Sequence, residues 1–240
     1  MPAVFVHGVP ETFRIWDALL AELARPDTVA VALPGFGVPV PAGFASTKEE
    51  YVAWLVDEIA GMGEPVDLVG HDWGSLLVQR VVSVRPDLVR TWAVGSGPVD
   101  AEYVWHDNAQ LMQTPEVGEA LMAGMSGEGM YAMFVGEIGE SAARALADHV
   151  DDRMKDSILA LYRSAVTVGA EWQPAVDALG DALPATVIWG RHDPFAPFVF
   201  GERLAARVGA ELVPLDAGHF WPAQCPAEAA TALERLWSRA

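Results

Sequence analysis

The residues with the clearest chemistry lie in the run Leu68-Val69-Gly70-His71-Asp72-Trp73-Gly74-Ser75. An apolar run leads into Gly-x-Asp-x-Gly and a helical pattern follows, which is a nucleophile-elbow pattern with Asp where Ser is the usual occupant. Glycines flank the central residue because a sharp, strained turn leaves no room there for side chains. Such a turn lifts Asp72 above a sheet and sets a helix N-terminus behind it, which favours an anion. The plainer alternative is that Asp72 only caps the following helix, and the motif alone does not separate the two.

Three further segments supply what a nucleophilic carboxylate would need. The first is Phe5-Val6-His7-Gly8-Val9-Pro10, a turn directly after an apolar run. It can aim a backbone N–H at the elbow, so the amides of Val9 and Trp73 are the candidate oxyanion hole. The second is Thr186-Val187-Ile188-Trp189-Gly190 followed by Arg191-His192-Asp193-Pro194, which places Asp193 just past a strand. The third is Leu215-Asp216-Ala217-Gly218-His219-Phe220. His219 is the natural base, and Asp193 would hold its tautomer. Asp193 or His219 alone reads as an ordinary loop residue. Together with Asp72 they form the order nucleophile, acid, histidine, each at the carboxyl end of a predicted strand, where open parallel sheets place their sites.

The elements that must position these residues follow from the hydrophobic pattern. Short β-branched runs bounded by Gly or Pro predict strands at Ala3–Val6, Thr28–Leu33, Val66–Val69, Thr91–Val94, Ala185–Trp189 and Glu211–Leu215. Amphipathic stretches at Trp16–Ala24, Lys48–Met62, Ser75–Val84, Phe198–Val208 and Pro226–Ser238 predict helices between most of them. This alternation predicts an α/β fold with a doubly wound parallel sheet. From about Gly97 to Leu183 no strand is predicted; helical stretches such as Tyr103–Met112 and Asp152–Val168 carry many Met and aromatic residues. The expected organisation is a core of residues 1–96 and 184–240 interrupted by a helical lid, 97–183. No repeat, low-complexity tract or linker divides the chain.

Composition narrows the function classes. The chain has 240 residues, 52% hydrophobic, which suffices for one sizeable core. A formal net charge of −18 repels phosphate backbones and gives no pull toward anionic membranes. One cysteine, Cys225, allows no intramolecular disulfide. The N-terminal residues carry no basic-then-apolar signal pattern, and no stretch is apolar for long enough to span a bilayer. A cytoplasmic location is expected, with no nucleic-acid or membrane partner.

On His7–Pro10, Leu33-Pro34-Gly35-Phe36-Gly37, Gly70–Gly74, Gly190–Pro194 and Gly218–Phe220, nearly the whole chain resembles the epoxide hydrolase and haloalkane dehalogenase branch of the α/β-hydrolase superfamily. That family usually begins with two further strands before the His-Gly loop. Here the loop comes almost at once, so the resemblance implies about six strands, a shorter edge and intact catalytic positions. An exposed edge could pair with a second copy of the chain, so a homodimer is one expectation.

An Asp nucleophile suits displacement at saturated carbon, because attack on an acyl group would give a labile anhydride, whereas displacement gives an alkyl ester. Water then attacks that ester with His219 as base. The expected partners are a small apolar organic substrate and water, and the two steps need no metal or organic cofactor. The leaving atom separates the subfamilies. An epoxide oxygen wants a proton donor, which the family supplies from lid tyrosines; Tyr162, in Leu161-Tyr162-Arg163-Ser164, is similar to that segment, with Tyr103 and Tyr131 as candidates for a second donor. A halide wants fixed N–H donors: Trp73 can serve, although the loop position where dehalogenases often carry Asn is Val9, and Trp105 and His106 are possible replacements. Trp73 stands where fluoroacetate-type relatives usually carry Arg, which disfavours a small haloacid. Most of Met112, Met122, Met125, Met130 and Met133 read as filler of a helical cap. Epoxide opening, dehalogenation and non-catalytic binding of a small molecule on the same fold therefore all stay open, in that order.

Overall fold

The computed structural model describes residues 1–240. Six strands form one sheet: β1 (Ala3–Val6), β2 (Thr28–Val31), β3 (Val66–His71), β4 (Val89–Gly95), β5 (Ala185–Gly190) and β6 (Glu211–Leu215). Every pairing is parallel and the order is β2-β1-β3-β4-β5-β6. β1 and β3 are buried along their whole length, as the near-continuous apolar runs of a doubly covered sheet require. β2 is an edge strand, and its Val29 is 40% exposed.

Eleven α-helices accompany the sheet. Six belong to the core: α1 (Asp17–Glu22), α2 (Lys48–Ala60), α3 (Trp73–Val84), α9 (Phe198–Val208), α10 (Trp221–Gln224) and α11 (Pro226–Trp237). The other five follow one another between β4 and β5: α4 (Asp107–Gln113), α5 (Val117–Gly124), α6 (Gly127–Asp148), α7 (Asp152–Ser164) and α8 (Val168–Asp177). Alternate side chains of the strands feed two hydrophobic layers. Val4, Val6, Leu68 and Val187 pack with α2, α3 and α9, while Ala3, Phe5, Val69 and Ile188 pack with α1 and α11.

The sequence reading places the strands well and misses details of the helical insertion. The helix expected over Tyr103–Met112 begins only at Asp107. Residues 103–106 instead run extended, because Trp105 stacks on Trp73 and Tyr103 packs edge-on against Phe200, contacts that a helical turn would break. The His106 ring caps α4 by accepting the Ala109 N–H. The helix expected over Asp152–Val168 is two, α7 and α8, with a break at 165–167.

One arginine ties both ends of the insertion to the core. Asp100, which is 1% exposed, lies 2.5 Å from Arg207 and 3.0 Å from Arg203, both on α9. Arg207 also donates to the Val99 carbonyl at 2.8 Å and lies 2.7 Å from Asp177, at the end of α8. Removing one partner of a buried ion pair strands the other charge. The variant Arg207→Leu is therefore expected to cost about 2–4 kcal/mol in urea unfolding, with faster hydrogen exchange at residues 99–107 and 168–180 than elsewhere. Uniform exchange would mean that Arg207 does not anchor the insertion.

Candidate active site

Asp72 sits between β3 and α3 with φ 51° and ψ −121°, a left-handed conformation that a non-glycine residue adopts only when its surroundings impose it. Its side chain makes no capping hydrogen bond to α3, so the helix-cap alternative does not hold. The imposition comes from close approach. A β-carbon on Gly74 would run into the Val6 carbonyl oxygen, and one on Gly8 would run into the Asp72 side chain itself. Only glycines at these two positions let α3 and the loop after β1 close on the turn.

The three predicted residues converge. His219 Nδ1 faces both Asp193 oxygens, at 2.9 and 3.1 Å, and His219 Nε2 lies 3.4 Å from Asp72 Oδ2. Asp193 is fixed from behind, since its Oδ1 accepts the backbone N–H groups of Phe195 and Ala196, each at 2.9 Å. Asp72 Oδ1 accepts the Val9 N–H at 2.8 Å. Of the two amides expected at this oxygen, only that of Val9 is bonded to the carboxylate; Trp73 opens α3 beside it. His7 holds the Val9 loop in place: its Nδ1 donates to the Gly8 carbonyl at 2.7 Å and its Nε2 accepts the Leu33 N–H at 3.0 Å. Burial lowers the His7 pKa to about 4, so this ring is neutral.

The charges are set by these contacts. Burial alone would lower the His219 pKa, but Asp193 and Asp72 outweigh it and push it up to about 10. Burial would raise both carboxyls, yet facing His219 and accepting backbone N–H groups brings Asp72 and Asp193 below the ordinary carboxylate value. At neutral pH the resting site is an imidazolium between two carboxylates.

Two residues that the sequence reading passed over complete the support. His71 Nε2 donates to the His219 carbonyl at 2.8 Å, and its Nδ1 lies 3.1 Å from Glu11 Oε2. The same Glu11 oxygen accepts the Gly8 N–H at 3.1 Å. Glu11 and His71 thus join the histidine loop to the Val9 loop. Their signal was only adjacency to Pro10 and Asp72. Glu11, His71 and His219 bring potential metal-ligand atoms within 4.8 Å of one another; the ring nitrogens of both histidines are engaged with Glu11, Asp72, Asp193 or a backbone carbonyl, whereas Glu11 Oε1 has no hydrogen-bond partner. Ser96, at the end of β4 with φ 58°, also donates to the His219 carbonyl, at 3.3 Å.

A chamber of about 800 Å³ opens above Asp72 and His219, between the core loops and α4–α7. Tyr162 and His106 line it. Tyr162 packs edge-on against Trp73 and Trp105, and no protein acceptor takes its hydroxyl proton. Burial and the Asp72 charge hold its pKa well above the ordinary phenol value. His106 Nδ1 accepts from Ala109, which places the ring proton on Nε2; burial lowers its pKa. The other candidates have committed their protons: the Tyr103 hydroxyl donates to the Phe195 carbonyl at 2.9 Å, the Trp105 indole to the Ala165 carbonyl at 3.1 Å, and the Tyr131 hydroxyl to Glu140. Met112, Met122, Met125, Met130 and Met133 all line the chamber, and all but Met133 also pack in or against the hydrophobic layers, so most of them do both. Helical periodicity gives core and cavity lining the same pattern.

Residues 3–232 match the Alpha/beta hydrolase family. The chain belongs to that family. Among curated relatives it is 26% identical over 255 aligned positions to epoxide hydrolase 3 of Xenopus tropicalis, covering 94% of this chain and 68% of that one. It is 37% identical over 97 positions to epoxide hydrolase 2 of Siraitia grosvenorii, covering 37% of this chain and 30% of the relative, less than a third of that protein's length. Among solved structures, the haloalkane dehalogenase DbeA of Bradyrhizobium elkani USDA94 superposes with a TM-score of 0.81 at 21% identity, covering 100% of this chain and 92% of that one. At that identity the likeness speaks for the fold alone.

Replacing Asp72 by Asn removes one of the two negative charges facing His219. Its pKa is then expected to fall below the wild-type value of about 10, as read by NMR titration of the labelled imidazole. An unchanged value would assign the whole effect to Asp193.

Proposed function

We propose that this hydrolase opens epoxides to vicinal diols through an alkyl ester on Asp72, with Asp193 and His219 completing the catalytic set. The observation that carries the reading is the pairing of an ionised Asp72 with a free, protonated phenol, Tyr162, across one chamber. Epoxide relatives in two organisms are consistent with it. No helix is long and apolar enough to cross a membrane, and the substrate is taken to arrive from solution.

Asp72 Oδ2 forms the bond to an epoxide carbon as the carbon–oxygen bond breaks. The departing oxygen takes a proton from Tyr162, with the His106 Nε2–H as a second donor from the helical insertion, which acts as the lid. The ester carries no charge, so His219 then faces a single carboxylate and its pKa falls. Once neutral, it takes a proton from a water that attacks Asp72 Cγ. Negative charge collects on Oδ1, where the Val9 N–H already points. A recess of about 10 Å³ between Asp72, Ser96 and His219 is the size of one water. Collapse of the adduct restores the carboxylate and releases the diol, whose new hydroxyl takes the second proton of the water; the proton that His219 shed before hydrolysis returns through solvent to the Tyr162 phenolate.

A second reading rests on the Trp73 indole, whose buried N–H has no hydrogen-bond partner. It could hold a departing halide instead of an oxygen, which would make the chain a dehalogenase.

Diol formation from epoxides and halide release from bromoalkanes, measured side by side, separate the two. The expected result is diol without halide, and Tyr162→Phe lowering kcat by about 10–100-fold. Halide without diol would overturn the epoxide reading. In the His219→Gln variant the Asp72 peptide is expected to gain the mass of the epoxide; saturable binding with no added mass would favour a non-catalytic binding protein. The pH dependence follows from the charges. Alkylation needs only ionised Asp72, whose pKa is depressed, so it stays flat through neutral pH. Ester hydrolysis needs neutral His219, so its single-turnover rate rises with pH. The opposite order would exclude His219 as the base.

A further inference from the structure

The chamber is larger than the proposed chemistry requires, and its lining is selective. At about 800 Å³ it lies toward the upper end of the about 300–1,000 Å³ typical of pockets for drug-sized ligands. Methionines at five lining positions bring unbranched, polarisable side chains that adapt to the occupant's shape. Four of them, Met112, Met122, Met130 and Met133, sit on α4–α6, and Met125 lies between α5 and α6. Apolar surface continues to the rim, where Met133 is 66% and Leu121 37% exposed.

Apart from the His219 imidazolium, which Asp72 and Asp193 flank, the charge at this lining is negative. No lysine or arginine faces the chamber, whereas Asp72 and Glu137 do. Glu137 is exposed and steadied by the Gln224 amide at 2.7 Å. The neighbouring His192 is engaged by Asp216 at 2.9 Å, so its imidazole is already matched with a carboxylate. An entering carboxylate would lose hydration, meet Asp72 and find no cation but the His219 imidazolium, which Asp72 and Asp193 already flank, against a background of −18 over the whole chain.

We propose that the chamber selects bulky, uncharged, apolar epoxides and excludes those bearing a carboxylate, an inference that rests on the epoxide reading above. The preference comes from the apolar lining, from the absence of lysine and arginine on it, and from the negative Asp72 and Glu137. It separates this site from one built around an arginine that receives an acid.

The test compares kcat/KM of the intact protein on styrene oxide, on the methyl ester of a long-chain epoxy fatty acid, and on the corresponding free acid. The ester is expected to exceed styrene oxide by about tenfold and the acid by about 30-fold or more. Met125→Arg, which adds a cation to the lining, is expected to narrow the ester-to-acid ratio by about tenfold. Binding is measured separately in Asp72→Asn, by displacement of the neutral dye Nile red, where the ester should again compete better than the acid. An acid handled within about threefold of its ester, or styrene oxide as the best substrate, overturns the inference and leaves the epoxide reading intact. If no epoxide gives diol while the ester still outcompetes the acid for the dye, the chamber's selectivity stands and the reaction is wrong. If neither diol nor preferential displacement is seen, both fall.

Discussion

One imidazole faces two carboxylates, and much of the surrounding architecture serves to keep it there. Taken alone, a buried histidine is neutral and a buried carboxylate is protonated. Set 2.9 Å from Asp193 and 3.4 Å from Asp72, the same groups hold each other charged. Such an arrangement collapses if any member drifts, because a lone charge in that environment costs several kcal/mol. Each member is therefore tied down from behind: two backbone amides on Asp193, one on Asp72, and the His71 ring on the His219 carbonyl.

The parallel sheet explains how these ties come together. β3, β5 and β6 end on the same side, so residues far apart in the chain arrive at one point without long excursions. The loop after β1 arrives there too, because β1 lies beside β3 in register. Glu11 uses this convergence, bonding the Gly8 amide of its own loop and the His71 ring of the neighbouring strand end. A single buried carboxylate thereby couples the loop that would receive an oxyanion to the loop that carries the base. The strained turn at Asp72 is held between the same elements, with α3 pressed against the end of β1 at Gly74.

How much of this was legible depends on whether a feature is local or collective. Asp72 was legible because a strained turn leaves a local mark, the glycines at 70 and 74. Asp193 and His219 were legible because each follows an apolar run that reads as a strand by itself. Glu11 was not, since a carboxylate after a proline looks like any loop residue until β1 and β3 are paired. The backbone at 103–106 was illegible for a related reason: Trp105 is drawn out of helical geometry by Trp73, a residue on another element. The methionines were the hardest. Whether an apolar side chain fills a core or lines a space depends on how far apart α4–α7 stand, and the sequence of no single helix encodes that distance.

The same charge arrangement also bears on why an aspartate can serve as nucleophile beside a base that starts out protonated. A neutral histidine at rest would leave Asp72 less stabilised, and an imidazolium that persisted would be useless for activating water. On the proposed mechanism, esterification of Asp72 would resolve the conflict by itself. It removes the negative charge that helps hold the proton on His219, so the event that creates the need for a base also lowers the barrier to having one. Asp193 is not placed to be the residue discharged, because its side chain is fully buried and both its oxygens face His219. The division of labour between the two carboxylates thus follows from their surroundings. Asp193, with its side chain fully buried and one oxygen held by two N–H groups, would stay charged throughout; Asp72, 17% exposed and with Oδ2 held by no backbone N–H, is the one the proposed mechanism changes.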